Sequence, residues 1–125
     1  MDAANAATRG IRGATTVEAD EADAVREAVA ELLAEIRRAN GLRPEDLAAL
    51  IFTVTEDLPL ANPAAAAREE GWDDVPLLVT REHAGDAGIP RCLRVLALWN
   101  TPSPQRDVRH IYLRGAARLR PDLAT

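Results

Sequence analysis

The chain has 125 residues, 47% hydrophobic and 28% charged, the size and balance of one ordinary globular domain with a single core. Its formal charge of −5 argues against nucleic acid or an anionic membrane as partner, because both select basic surfaces, and no apolar run approaches the ~20 residues that span a bilayer. Cys92 is the sole cysteine, which excludes an intramolecular disulfide and points to a reducing compartment, the cytoplasm by default.

MDAANAAT (1–8) reads as a flexible N-terminal tail, leaving 9–125 as a single domain. GIRGATTV (10–17) has the brevity and β-branched end of a strand. Residues 19–42 then spell a long helix. Asp20 stands as its N-cap, acidic residues crowd the first turn, and Val25, Val29, Leu32 and Ile36 recur at helical spacing. Arg37 and Arg38 close the last turn and Gly41 supplies the stop. Pro44 opens a helical turn, followed by an apolar strand that runs through Ile51 to Thr55. NPAAAAREEG (62–71) predicts a compact helix, with Asn62 as N-cap, Pro63 at the first position and Gly71 after the end.

VPLLVTRE (75–82) reads as a strand and Gly85–Gly88 as a turn. RCLRVLALWN (91–100) is a further strand, with Cys92, Arg94, Leu96 and Leu98 on one face and Leu93, Val95, Ala97 and Trp99 on the other. TPSPQRDV (101–108) forms a turn or short helix, and RHIYLRG (109–115) a last strand. Strands and helices alternate without a βαβ rhythm, which predicts an α+β domain whose mixed sheet is covered on one face by the long helix.

Few chemistries remain open. His83 and His110 are far apart, Cys92 stands alone, and no ligand pair has zinc-type spacing, so no metal is expected. No serine sits in a nucleophile elbow, Cys92 lies within an apolar strand, and no glycine pattern fits a phosphate loop. The basic residues are the unusual feature: all 15 are arginine, beside 25 alanines. A GC-rich genome favours both, so only placement separates a functional arginine from a solvated one. Arg94, between Leu93 and Val95, is out of place on a strand. A guanidinium stays charged, so on a buried face it must meet a carboxylate or another anion. An internal ion pair and an edge strand facing water are the plain alternatives. Arg12, Arg94 and Arg120, with Glu82 and Tyr112, would together form a positive pocket suited to a small dianion.

The segments RGIRGATTVEAD, TEDL, PAAAAR, GWDDVPL, CLRVL, RHIYLRGA and LRPDL occur in the order and near the spacing of AroH-class chorismate mutases, which this chain resembles over about residues 9–123. The resemblance implies a homotrimer with a pseudo-α/β barrel of mixed sheets and active sites in clefts between subunits. It implies the rearrangement of chorismate, a dianion, to prephenate without metal or cofactor, a step of aromatic amino acid biosynthesis. Carried over, the catalytic residues are Arg94 at the ether oxygen, Glu82 at the ring hydroxyl and Arg12, with Tyr112, at the side-chain carboxylate. Arg68 and Arg120 fall at the mouth, and Asn62, Val79 and Leu119 at further substrate-binding positions.

Two positions depart from the family pattern. Asn62 replaces the usual aromatic before PA, and Val79 stands where a cysteine is common. Asn62 is either a better helix cap or a remodelled pocket wall. The departures keep open a paralogue acting on a related enolpyruvyl-cyclohexadiene acid; a third reading is a non-catalytic trimer that binds an anionic metabolite, against which the retained charged and phenolic site positions weigh.

Overall fold

A stripe of Val25, Ala28, Val29, Leu32, Leu33 and Ile36 runs along one side of helix α1 (Ala22–Asn40) and is buried throughout. The computed structural model describes residues 6–83, 88–120 and 122, and in it this stripe packs onto a five-stranded sheet. The stop works as its chemistry dictates: Gly41 takes a left-handed φ of 64°, and its N–H returns to the Arg37 carbonyl. The start differs from expectation. Glu21 occupies the cap position without a side-chain bond. Asp20 instead accepts the Leu60 N–H at 3.0 Å, so its carboxylate ties the helix entrance to the loop before the second helix.

The strands are β1 (Ala7–Thr16), β2 (Leu47–Val54), β3 (Leu77–Arg81), β4 (Cys92–Thr101) and β5 (Ile111–Tyr112). Helix α2 (Pro63–Glu69) lies between β2 and β3 in sequence. The sheet runs β3-β2-β4-β1-β5. β4 is antiparallel to both β1 and β2, whereas the outer pairs β2–β3 and β1–β5 are parallel. The sheet is therefore mixed, with the long helix over one face. No helix among the described residues is long and apolar enough to cross a membrane.

Several boundaries differ from expectation, three of them for a reason the structure makes plain. β1 begins at Ala7, because its pairing with β4 extends to Ala7 opposite Thr101; two residues of the expected tail thus belong to the sheet. β3 starts after Pro76, which has no N–H to donate, although its carbonyl still accepts from Leu50 at 2.9 Å. The strand expected over 109–115 shrinks to Ile111–Tyr112. The backbone turns left-handed at Arg114, φ 51°, and Arg114–Arg118 coil into a short 3₁₀ segment. Residues 85–87 of the expected Gly85–Gly88 turn lie outside the described residues.

Register decides what each face carries. Opposite partners share a face: Arg12 with Leu96, Ala14 with Arg94 and Tyr112, Thr53 with Arg94, and Ile51 with Leu96. Their neighbours Ile11, Phe52, Val54, Leu93, Val95 and Ala97 turn to α1 and are buried, each large side chain contributing about 1.5–3 kcal/mol. Among the described residues no α-helix covers the other face; the short 3₁₀ segment Arg114–Arg118 packs on it only at the β1–β5 end. Leu96 remains 39% exposed and Leu78 56%.

Gly13 sets how closely α1 approaches. A Cβ there would sit 2.7 Å from Ile36 Cδ1 and 2.9 Å from Val95 Cγ1. Gly13→Ala is expected to lower stability by about 1–3 kcal/mol through overpacking, seen as a lower denaturant midpoint with an unchanged slope; an unchanged midpoint would show that the helix can retreat freely.

Candidate active site

Four strands bring their polar residues together on the uncovered face. Arg94 comes from β4, Arg12 from β1, Tyr112 from β5, and Thr53 from β2. Glu82 follows the last residue of β3, its N–H still bonded to the Val54 carbonyl at 2.9 Å. These five side chains, with Ile51 and Leu96, border a cleft of about 300 Å³. Period-two alternation supplies the direction of each side chain, and the cross-strand register supplies their convergence.

Glu82 is the hinge of the arrangement. Its Oε1 accepts the Thr53 hydroxyl at 2.9 Å and lies 2.9 Å from Arg94 Nε. The Nε–H is not aligned on that oxygen, so the buried donor lacks a hydrogen-bond acceptor among the described residues. The ion pair orients the guanidinium without satisfying it. Two guanidiniums face one carboxylate here, leaving the cleft net positive.

Cys92 lies on the same face as Arg94 but packs with Ala14, Tyr112 and Ala116 in a small buried cluster. Burial pushes its thiol pKa up against the pull of Arg94, so the sulfur is a neutral packing group and not a nucleophile. Tyr112 is buried in that cluster and also lines the cleft. Leu119 packs on the cluster as well, holding the segment that carries Arg120.

A second cleft of about 500 Å³ also touches Glu82, with Glu56, Asp57 and His83 in its wall. Burial alone would raise the Asp57 pKa, but bonds from the Thr55 hydroxyl and the Arg91 N–H outweigh it and hold the carboxyl below its usual range. Its charge repels an anion, so the smaller, positive cleft is the better candidate despite its size.

The remaining nominated residues stand elsewhere. Asn62 Oδ1 accepts the Ala65 N–H at 3.1 Å, making Asn62 the cap of α2. Arg68 is exposed in the last turn of α2, a helix that packs against α1. Val79 pairs with Phe52 and packs against the helix-side core, so its side chain turns away from the cleft. Arg120 forks onto both Asp122 carboxylate oxygens, at 3.1 and 2.8 Å. Within one chain, Arg12, Glu82, Arg94 and Tyr112 meet, whereas Asn62, Arg68, Val79 and Arg120 do not line the same cleft.

Thr53 and His110 were not legible as site neighbours. Alternation along IFTVT places Thr53 on a face, but only pairing with Arg94 reveals its use. For His110 the sequence carried no signal beyond its poor fit as a metal ligand; in the structure it bonds to the Arg12 backbone.

Comparisons with known proteins agree with one another. The family model for chorismate mutase type I matches residues 8–123. The chain is 59% identical over 116 residues to chorismate mutase AroH of Thermus thermophilus, covering 92% of this chain and 95% of that one. Against chorismate mutase AroH of Bacillus subtilis (strain 168) it is 40% identical over 117 residues, covering 93% and 92%. A solved chorismate mutase structure from Clostridium thermocellum superposes with a TM-score of 0.83 at 40% identity, covering 87% of this chain and 97% of that one.

The cap assignment for Asn62 has a direct test. Asn62→Ala is expected to cost about 1 kcal/mol, read as a lower thermal midpoint, while Asn62→Asp retains most of the stability. Equal losses in both variants would show that the oxygen does not cap the helix.

Proposed function

The chain belongs to the type I chorismate mutase family, and we propose that its positive cleft carries out the rearrangement of chorismate to prephenate with Arg94 as the residue at the breaking bond. The observation that carries this reading is the incompletely satisfied Arg94 Nε–H, held beside Glu82 on a face where two cations meet one carboxylate. A preorganised donor awaiting an acceptor is what a reaction with transient oxygen charge requires.

The reaction is intramolecular: a carbon–oxygen bond breaks as a carbon–carbon bond forms, and the ether oxygen grows more negative in the transition state. It needs no nucleophile and no external base. The protein has to hold the compact conformer in which the reacting carbons face each other, and stabilise the oxygen. Arg94 is assigned to the ether oxygen. Arg12 and Tyr112 take the side-chain carboxylate, Glu82 accepts from the ring hydroxyl, and Thr53 steadies Glu82. A million-fold acceleration needs about 8 kcal/mol of differential stabilisation. Charge-assisted bonds of ~1.5–3 kcal/mol each supply a large share of it where they strengthen in the transition state.

Arg68 and Asn62 enter through assembly, whereas Arg120 lies near Tyr112 and His110 of its own chain. On one chain α2 sits with α1, away from the cleft, while Leu78 and Leu96 leave apolar surface on the open face. Both features support a homotrimer in which the α2 and β3 residues of one subunit complete the cleft of the next. Arg68 then meets the ring carboxylate at the mouth, and the backbone at Val79 remains free to contact the ring hydroxyl although its side chain faces the core. The capping bond of Asn62 accounts for that departure without a change of substrate.

Arg94→Lys is expected to lower kcat by about 100- to 1,000-fold, because a single ammonium cannot reproduce the planar fork. The loss of chorismate absorbance, with prephenate identified as product, measures it; wild-type-like turnover would remove Arg94 from the ether oxygen. The shared cleft is tested by mixing. Arg94→Ala and Arg68→Ala proteins, each impaired alone, are expected to regain activity when unfolded and refolded together, since some mixed interfaces then carry both arginines. No recovery in mixed oligomers would place both arginines in one subunit's site.

A further inference from the structure

The backbone N–H of Arg12 donates to Nδ1 of His110 at 2.9 Å, and none of the roles assigned above uses that imidazole. The next two positions along the same strands, Gly13 with Ile111 and Ala14 with Tyr112, are ordinary parallel pairs of β1 and β5. A side-chain nitrogen thus takes a strand N–H just where the backbone ladder ends, at the residue whose guanidinium borders the cleft. The imidazole has a fixed root. Asn40, the last residue of α1, accepts the Arg109 N–H at 2.9 Å and donates to the Arg109 carbonyl at 3.0 Å.

We propose that His110 is a positioning residue for the reaction: by accepting the Arg12 N–H it fixes the middle of β1 where its pairing with β5 ends, and thereby aims the Arg12 guanidinium into the cleft. The proposal rests on the assignment of Arg12 to the side-chain carboxylate. An Nδ1 that accepts must carry a lone pair, so the imidazole is neutral with its proton on Nε2. The charged groups around it favour that state. Arg12 faces it from β1 and Arg120 from the C-terminal segment, whereas the carboxylate of Asp122 is engaged by Arg120. Burial first, and then the two guanidiniums, hold the His110 pKa below the ordinary 6.5. The acceptor consequently persists at and above that pH.

The test compares His110→Leu and His110→Asn with the wild type, in chorismate kinetics and in the imidazole nitrogen spectrum. The asparagine side chain puts an acceptor near the place of Nδ1 and leucine removes it. His110→Leu is expected to lose about tenfold in kcat/KM, the effect of one hydrogen bond. The loss falls mainly on KM, because a carboxylate contact is made in ground and transition states alike. His110→Asn recovers most of that loss. In the wild type the His110 resonances, assigned by their absence from His110→Asn, show a bare Nδ1 and a protonated Nε2 at pH 6.5. Unchanged KM in a folded His110→Leu protein, equal defects in both variants, or a protonated Nδ1 would each overturn the proposal. If His110→Leu does not fold, His110→Gln replaces it, with its acceptor at the ε position; activity equal to that of His110→Asn would then count against the bond. Wild-type protein that leaves chorismate unchanged would overturn the reaction itself, a result read before any substitution is made.

Discussion

A guanidinium cannot shed its charge, and Arg94 stands in the middle strand of the sheet with only a partial counter-charge. The Glu82 carboxylate lies 2.9 Å from Nε, yet the N–H is not aimed at the oxygen and has no acceptor among the described residues. Full satisfaction by a second carboxylate would neutralise the cleft and leave nothing for a substrate. Removal of Glu82 would leave the cation undirected. The observed compromise keeps Arg94 oriented and still able to donate, and Thr53 extends the support by donating to the same Glu82 oxygen. Such an arrangement is preorganised at a cost in stability, which the rest of the domain must offset.

The offset comes from the opposite face. There α1 buries an uninterrupted apolar stripe against β1, β2 and β4, and Gly13 lets helix and strand approach closely. The two faces divide the work of one sheet. Residues of one parity supply packing energy, and those of the other line the candidate cleft, which can therefore hold charged and incompletely paired groups without weakening the core directly. Cys92 and Tyr112 form the seam, buried with Ala14 against Ala116 of the 3₁₀ segment Arg114–Arg118.

Much of this was legible along the chain. The α1 stripe, the glycine stop at Gly41 and the Asn62–Pro63 helix start are local signals, and they hold because the bonds concerned span only a few residues. The errors were also local signals, outweighed by distant partners. Asp20 had the chemistry of an N-cap but bonds to Leu60, forty positions away in sequence. The last strand was read too long because neither the Arg12 to His110 bond nor the left-handed turn at Arg114 has a signature in RHIYLRG. Arg94 was conspicuous as a charge among apolar residues, whereas Thr53 was not, since threonine is an ordinary strand residue on either face.

The sequence by itself determined parity and family: alternation sets which residues of β4 share Arg94's face, and the ordered motifs from RGIRGATT to LRPDL identify the scaffold. It could not determine convergence. Whether Arg12, Thr53, Glu82, Arg94 and Tyr112 meet depends on the register of five strands brought together in the order β3-β2-β4-β1-β5, and a one-residue slip would turn a whole strand's set of side chains to the opposite face. The tertiary structure also separated residues that the motifs had grouped, turning Val79 to the core and giving Asn62 to the α2 cap. Motif order is a property of the chain, whereas a site is a property of distances between strands, and those are settled only when the core closes.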